Sequence, residues 1–280
     1  MLELPLPVDF SGKVVVITGA GGVICSVLAR AFAQAGAKVA AINRSSQKIE
    51  VLAKELTEEG LICKAYQADV LDRDRLKEVH KAVLEELGPC DILLNGAGGN
   101  HPSANTDREY HHEDTPGKTF FDLEPEGIDG VFRLNFQGTL NVTQIFAADM
   151  AQRGAGCILN ISSMNAFSPL TKIPAYSAAK AGVSNFTQWL ANYFAGTGIR
   201  CNAIAPGFLL TNQNKALLYH EDGSPTRRTV NILAGTPMGR LVDSRELVGA
   251  ALFLCCEEAA SAITGVILPV DCGFSANCGV

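Results

Sequence analysis

The chain has 280 residues, 47% of them apolar and 19% charged, which excludes a disordered protein and allows a large buried core. The formal net charge is −6 and no run of Lys or Arg is present, so neither a nucleic-acid backbone nor an anionic membrane surface is implied as partner. Nine cysteines are scattered without a C-x-x-C pair; they read as reduced, buried thiols of a cytoplasmic protein, and no metal site is expected.

The start, MLELPLPVDFSGK, lacks the basic leader and apolar core of a signal peptide, and the uncharged stretch 14–29 is too short and glycine-broken to span a bilayer. KVVVITG predicts a buried strand over 13–19, followed by a helix over 23–36. A strand over 38–44, a helix over 46–60 with charges on one face, a strand within 61–70 and a helix over 72–88 continue the alternation. CDILLNGAGG, residues 90–99, is a strand that ends in glycines. One helix is expected over about 122–153, then a strand over 156–163, a long helix over 174–196, and strands over 199–207 and 265–273. This order predicts a parallel sheet with ligands at the carboxyl ends of its strands. No repeat or linker divides residues 1–280, so one domain is expected. Two stretches exceed simple connections and are expected to serve substrate: 99–120, which holds His101, His111 and His112, and 208–240. Adjacent His111 and His112 do not suit a shared metal ion.

The first strand runs into TGAGGVIC, residues 18–25. A phosphate-binding turn of spacing G-x-x-x-G-x-G would carry three glycines, yet only Gly19 keeps its place; Val23 and Cys25 occupy the other two. Gly21 and Gly22 lie between them, out of step. Such a turn needs backbone N–H groups at a helix N-terminus and room for close approach. Gly19, Gly21 and Gly22 supply the turn, and Val23 and Cys25 are small, so a shifted but working loop is expected. After the second strand come Asn43 and Arg44. Asn43 can bond a ribose hydroxyl without repelling a phosphate, while Arg44 suits either a 2′-phosphate or the face of adenine; NAD and NADP both stay open.

SSMNAFSPLTKIPAYSAAK carries the second set. Tyr176 and Lys180 are four apart on a predicted helix and share a face. Ser163 lies thirteen residues before Tyr176, at a strand end. A tyrosine normally ionises near pH 10, and a nearby ammonium favours its phenolate, which makes it a usable acid or base. A serine hydroxyl can hold the reacting oxygen.

With Thr18-Gly19, Asp69-Val70, NGAG over 95–98, Asn135, Ser163, Tyr176, Lys180, Pro206-Gly207 and Thr211 in order, the chain resembles the short-chain dehydrogenase/reductase family over nearly its whole length. The resemblance implies a Rossmann-type, doubly wound α/β domain with a seven-stranded parallel sheet flanked by helices. It implies Tyr176 as general acid/base, Lys180 as the group that lowers its pKa and binds the nicotinamide ribose, Ser163 as the orienter of the substrate oxygen, and Asn135 as the holder of a water linking Lys180 to solvent. Cofactor contacts are implied at Gly19, Gly22, Val23, Ile24, Asn43, Arg44, Asp69, Val70, Asn95, Ala97, Gly98, Pro206, Gly207 and Thr211. Gly96 departs from the family, where a second asparagine is common.

GAGGNHP, TFFDL, APGFLLTNQNKALL and GFSANCGV are similar to the family branch that interconverts D-fructuronate and D-mannonate, which implies a sugar-acid substrate. A sugar acid needs a cation for its carboxylate and polar groups for its hydroxyls. Asn165 and Lys172, between Ser163 and Tyr176, and His101, with Asn100 and Lys118, are the expected contacts; Lys172 leads for the carboxylate, with Lys118 and His101 next. The alternatives are another reductase of the family, of gluconate or 3-oxoacyl type, or a nucleotide-sensing relative without turnover. Ala175, Ala178, Ala179 and Gly182 would let another helix approach closely, and the resemblance implies a homotetramer.

Overall fold

The computed structural model describes residues 4–112, 116–210 and 215–277. The first strand, β1 (Val14–Thr18), is buried at every position, and its side chains alternate between two cores. Val15 and Ile17 enter the core on one face of the sheet, and Val14 and Val16 enter the other. Helix α1 (Val23–Gln34), β2 (Lys38–Asn43), α2 (Ser46–Glu58), β3 (Cys63–Gln67), α3 (Arg73–Glu86) and β4 (Ile92–Asn95) follow in the expected alternation. Leu28 and Phe32 of α1 and Ile49 and Leu56 of α2 cover the first face, while Leu76, Val79 and Val83 of α3 cover the second.

The single helix expected over 122–153 is instead divided. A capping box of Thr119 and Asp122 closes a 3₁₀ turn at Phe120–Asp122, α4 spans Pro125–Phe132, and Arg133–Gln137 is a π-helical segment that leads into α5 (Gly138–Arg153). Pro125 tolerates only a first-turn position, which sets where α4 begins. Asn135 lies in the π segment, fully buried, and its Nδ2 donates to Gly99 O at 2.7 Å and Val131 O at 2.8 Å. These bonds hold the chain after β4 against the widened turn.

Strand β5 (Gly156–Ile161), the long α6 (Pro174–Tyr193) and β6 (Ile199–Pro206) come next, then short α7 (Lys215–Leu218) and α8 (Arg227–Ala234). Helix α9 (Leu247–Cys255), α10 (Glu257–Ala260) and β7 (Ile267–Val270) complete the fold. The sheet order is β3-β2-β1-β4-β5-β6-β7, with every pairing parallel. The winding reverses between β1 and β4, which opens a crevice at their carboxyl ends. This is the expected seven-stranded, doubly wound, Rossmann-type sheet. Among the described residues no helix is long and apolar enough to cross a membrane.

At the crevice the two departures in the glycine motifs prove to be one. A methyl group on Gly96 would overlap Cys25 Sγ and approach Thr18 O to 3.0 Å. Cys25 fills, from α1, the space that a side chain at position 96 would take. Thr18 Oγ1 joins the same junction, accepting from Gly96 N at 3.1 Å and Ala97 N at 3.3 Å. Gly96→Ala should therefore destabilise the protein by about 1–3 kcal/mol, as overpacking does. In a double-mutant cycle read by urea unfolding, Cys25→Gly should recover part of that loss. An equal cost of Gly96→Ala in both backgrounds would remove the proposed contact.

Candidate active site

Eight of the residues expected at a dinucleotide line a 290 Å³ cleft at the switch point: Gly19, Gly22, Asn43, Arg44, Asp69, Val70, Ala97 and Gly98, together with the loop's Gly21. Gly19 has φ +69°, and a methyl there would come within 2.9 Å of the Ala97 and Gly96 backbone, so the turn tolerates only glycine. Gly22 is the N-cap of α1 and offers no side-chain cap, which leaves first-turn N–H groups free for an anion. Val23 and Ile24 form that first turn, and Val23 is exposed. The shifted loop thus keeps the anion-binding feature without the usual glycine spacing.

Asn43 Nδ2 donates to Ser45 O at 3.1 Å, and one Asp69 oxygen accepts from Leu71 N at 2.9 Å. Arg44 is exposed at the rim. Lys48 also lines the cleft, beside Asn43 and Arg44. Sequence reasoning missed it because a lysine on a charged helix face carries no distinguishing signal. Asn95 needs correction as a side-chain contact. Its Nδ2 donates to Thr143 Oγ1 at 3.0 Å and Asn160 Oδ1 at 2.9 Å, so it faces the inside of the sheet and ties β4 to β5 and α5. Pro206 and Gly207 stand at the end of β6, where Gly207 N donates to Val270 O at 3.0 Å. A methyl on Gly207 would lie 2.6 Å from Asp271 Cα, so its glycine serves the close approach of that neighbour. Thr211 lies outside the described residues.

Tyr176, Lys180 and Ser163 come together as expected. The first turns of α6 carry Tyr176 and Lys180 on one face, and the Lys180 Nζ lies 5.7 Å from the phenol ring centroid. Lys180 is buried and donates to Ile161 O, at the end of β5, at 2.8 Å. Ser163, two residues further, acts on the phenol to lower its pKa, and its Oγ accepts from Asn165 N at 3.3 Å. Burial pushes the Tyr176 phenol above its ordinary 10, opposed by the Ser163 hydrogen bond. Burial pulls the Lys180 ammonium down to about 8, opposed by the nearby Cys25 sulfur. Burial is thus the leading influence on the phenol, and it favours the neutral hydroxyl, which can donate a proton.

On the substrate side, Asn165 is buried and its Oδ1 has no partner among the described residues, which leaves an acceptor beside Ser163. Lys172 stands with φ +72°, in the left-handed region, and its carbonyl accepts from Thr106 N at 2.9 Å. Its side chain borders a separate concavity with Arg108, Arg227 and Arg228. His101 and Lys118 need correction. The His101 Nδ1 bonds Ser103 Oγ at 2.7 Å and caps its own 3₁₀ turn. Lys118 Nζ donates to Ser103 O at 2.9 Å, with a Glu124 oxygen at 4.0 Å, so it is bound within its own loop.

The profile of the short chain dehydrogenase family matches residues 13–222. A Haemophilus influenzae protein called an uncharacterised oxidoreductase is 53% identical, over 97% of this chain and 96% of its own. The Bacillus subtilis uncharacterised oxidoreductase UxuB is 47% identical, over 99% of this chain and 100% of its own. A solved Haemophilus structure, described as a candidate D-mannonate oxidoreductase with bound NAD, is 53% identical over 98% of both chains, with a TM-score of 0.94.

The upward shift of the phenol has a spectroscopic consequence. A tyrosine whose folded pKa lies above 10 keeps its proton below that pH. The ligand-free protein and Tyr176→Phe should therefore show the same tyrosinate absorbance up to pH 9. A difference band that grows between pH 7 and 9 would mean that Lys180 already dominates the phenol.

Proposed function

The chain belongs to the short-chain dehydrogenase family and is an NAD(P)-dependent oxidoreductase acting on a CH–OH group; from that premise we propose that it interconverts D-fructuronate and D-mannonate. The carrying observation is the chemistry around Tyr176. Two residues past Ser163 the Asn165 amide oxygen is buried without a partner among the described residues, and Arg108, Lys172, Arg227 and Arg228 line a concavity bordered by the turn that leads into the Tyr176 helix. A polyhydroxylated acid can satisfy such groups, whereas a steroid or acyl chain would leave them unpaired. The likeness to a structure described as a candidate D-mannonate oxidoreductase supports the same reading.

A dinucleotide suits the glycine cradle. A methyl on Gly98 would come within 2.7 Å of Asn135 Oδ1 and 3.2 Å of Lys180 Nζ, so this edge of the cleft has room only for backbone. The first turn of α1 would take the pyrophosphate, Asp69 the adenine amino group, and Asn43 with Arg44 the adenosine ribose. Asn43 and Arg44 suit either NAD or NADP; bound NAD in the Haemophilus structure supports the first, and Lys48 beside Arg44 supports tolerance of a 2′-phosphate. The nicotinamide, when bound, supplies or accepts the hydride. Tyr176 gives its phenolic proton to the carbonyl oxygen during reduction and takes it back during oxidation. Ser163 holds that oxygen in place. Lys180 replaces the proton, with Asn135 close to its ammonium beside the Gly98 backbone.

The free thiols among the described residues support a reducing, cytoplasmic location. A homotetramer remains our proposal, on a different face from the one the small residues suggested. Ala175 and Ala179 pack against Ala104 and Val131, so the helix they admit is the chain's own α4. The exposed apolar face is aromatic. Trp189 and Tyr193 stack at 4.8 Å between ring centroids, and they line a 510 Å³ apolar groove between α5 and α6. A second copy of the same two helices would cover it.

Reduction is tested by loss of NADH or NADPH absorbance with D-fructuronate, 5-keto-D-gluconate, a 3-oxoacyl thioester and D-fructose. D-Fructuronate should give the highest kcat/KM, and Tyr176→Phe should lower it by roughly 10²–10⁴-fold while cofactor binding persists. A higher kcat/KM for the keto-gluconate or the thioester would replace the reading with that alternative; cofactor binding without turnover on any of them would make the protein a nucleotide sensor. For assembly, light scattering should give a tetramer mass at micromolar concentration, and Trp189→Asp should lower it. A monomeric wild-type mass would contradict the proposal.

A further inference from the structure

Three segments that the sequence brings from different parts of the chain meet in a concavity of 430 Å³. The stretch after β4 contributes Arg108, the turn before α6 contributes Lys172, and the first turn of α8 contributes Arg227 and Arg228. Arg108, Lys172 and Arg228 are half-buried; Arg227 is exposed. Two acids share the concavity, Asp107 and Glu109, but a carboxylate oxygen of Asp107 accepts from Lys118 N at 2.8 Å and belongs to its own loop. Among the described residues none of Lys172, Arg227 and Arg228 forms an ion pair. In a chain of net charge −6, such a group of cations departs from the background.

Three local facts say that the fold does not need these cations where they are. Arg227 and Arg228 occupy the first turn of α8, where the helix dipole disfavours positive charge. Lys172 holds a left-handed backbone that favours glycine, kept in place by the Thr106 hydrogen bond. Arg108 Nη1 donates to His112 O, yet its Nε is buried and has no partner among the described residues. An anion in the concavity would answer all three: it would offset the dipole, accept from Nε and give Lys172 its partner.

We propose that Arg108, Lys172 and Arg228 form a carboxylate-binding subsite, with Arg227 at its rim, that selects a sugar acid over a neutral sugar. This rests on the sugar-acid reading above and deepens it. The planar guanidinium forks match a carboxylate bidentately, and Lys172 adds a point charge. Lys172 lies on the turn that leads into α6, the helix that carries Tyr176, so one segment joins the subsite to the acid/base group. In D-fructuronate the carboxylate lies at the far end of a short polyhydroxy chain from the carbonyl. With the carbonyl oxygen at Tyr176 and Ser163, the carboxylate reaches toward α8, and Asn165 is left for a hydroxyl.

The test uses the full-length enzyme with NADH or NADPH. Kinetics are measured on D-fructuronate, D-fructose and D-fructose 6-phosphate for wild type, Arg228→Met, Arg108→Met and the distant charge control Lys81→Met. For the two arginine variants, KM for D-fructuronate should rise about tenfold to a hundredfold, with kcat changed far less. The preference for D-fructuronate over D-fructose should shrink by the same factor, and Lys81→Met should behave as wild type. Lys172→Gly should unfold at a higher temperature, because it relieves the left-handed residue, while its KM rises. That opposite movement separates a binding role from a structural one. Unchanged preference in both arginine variants, with D-fructuronate still reduced, overturns the subsite and leaves the proposed reaction standing. Preference for D-fructose 6-phosphate that depends on Arg228 overturns the carboxylate assignment in favour of a phosphate. If D-fructuronate is not reduced, calorimetric binding of D-mannonate and D-gluconate to the cofactor-loaded protein decides. Binding that is lost in Arg228→Met upholds the subsite and ends the fructuronate reading; no Arg228-dependent binding of either acid overturns it.

Discussion

Lys180 brings an ammonium into a nearly solvent-free position, 5% exposed, where among the described residues it donates to one carbonyl, that of Ile161. An ammonium has three donors, so one carbonyl leaves the group under-satisfied, and desolvation pulls its pKa to about 8. Much of the carboxyl side of the sheet is built around that ammonium. The end of β5 supplies the carbonyl, α6 carries the lysine under Tyr176, and the Gly98 backbone passes so close that a side chain there would collide with Asn135 and Lys180. Burial acts on Tyr176 in the opposite sense, raising the phenol and keeping its proton on.

The crevice shows why a motif can lose its letters and keep its physics. Anion binding at a helix start depends on free N–H groups and a backbone that can approach, not on glycine at each customary place. Gly19 is required by its positive φ and its closeness to Ala97; Cys25 is permitted because position 96 gave up its side chain. The two changes lie about seventy residues apart in sequence and touch through α1 and β4. Read along the chain they look like two separate losses. In space they are one exchange of volume.

That contrast marks what sequence reasoning could and could not reach. The strands were legible because a sheet covered on both faces demands apolar runs, as in residues 14–17 and 92–94. Tyr176 and Lys180 were legible because a four-residue spacing on a helix fixes a shared face. The π turn at Arg133–Gln137 was not, since its residues fit an ordinary helix as well, and the widening is imposed by the Asn135 bonds to Gly99 and Val131. Asn95 was misread because polarity at a strand end suggests a ligand, whereas its real partners are Thr143 and Asn160. Arg108, Arg227 and Arg228 carried no signal: each is an unremarked loop or helix-start arginine until the fold brings three segments to one concavity.

The two halves of the site are therefore held by different means. The cofactor half is mostly backbone, glycine turns and one helix start, fixed by the packed sheet. The substrate half is side chains on segments between elements, and it can carry local costs. A left-handed lysine costs about 1–2 kcal/mol and a cation in a helix first turn about 0.3–1 kcal/mol. Against a typical folding stability of about 5–15 kcal/mol, the sheet can bear a few such costs. Placed in the core they would compete with packing on both faces of the sheet. Placed at Lys172 and at the start of α8, they leave the packing of β1, β4 and β5 undisturbed and the acid/base pair on α6 in register.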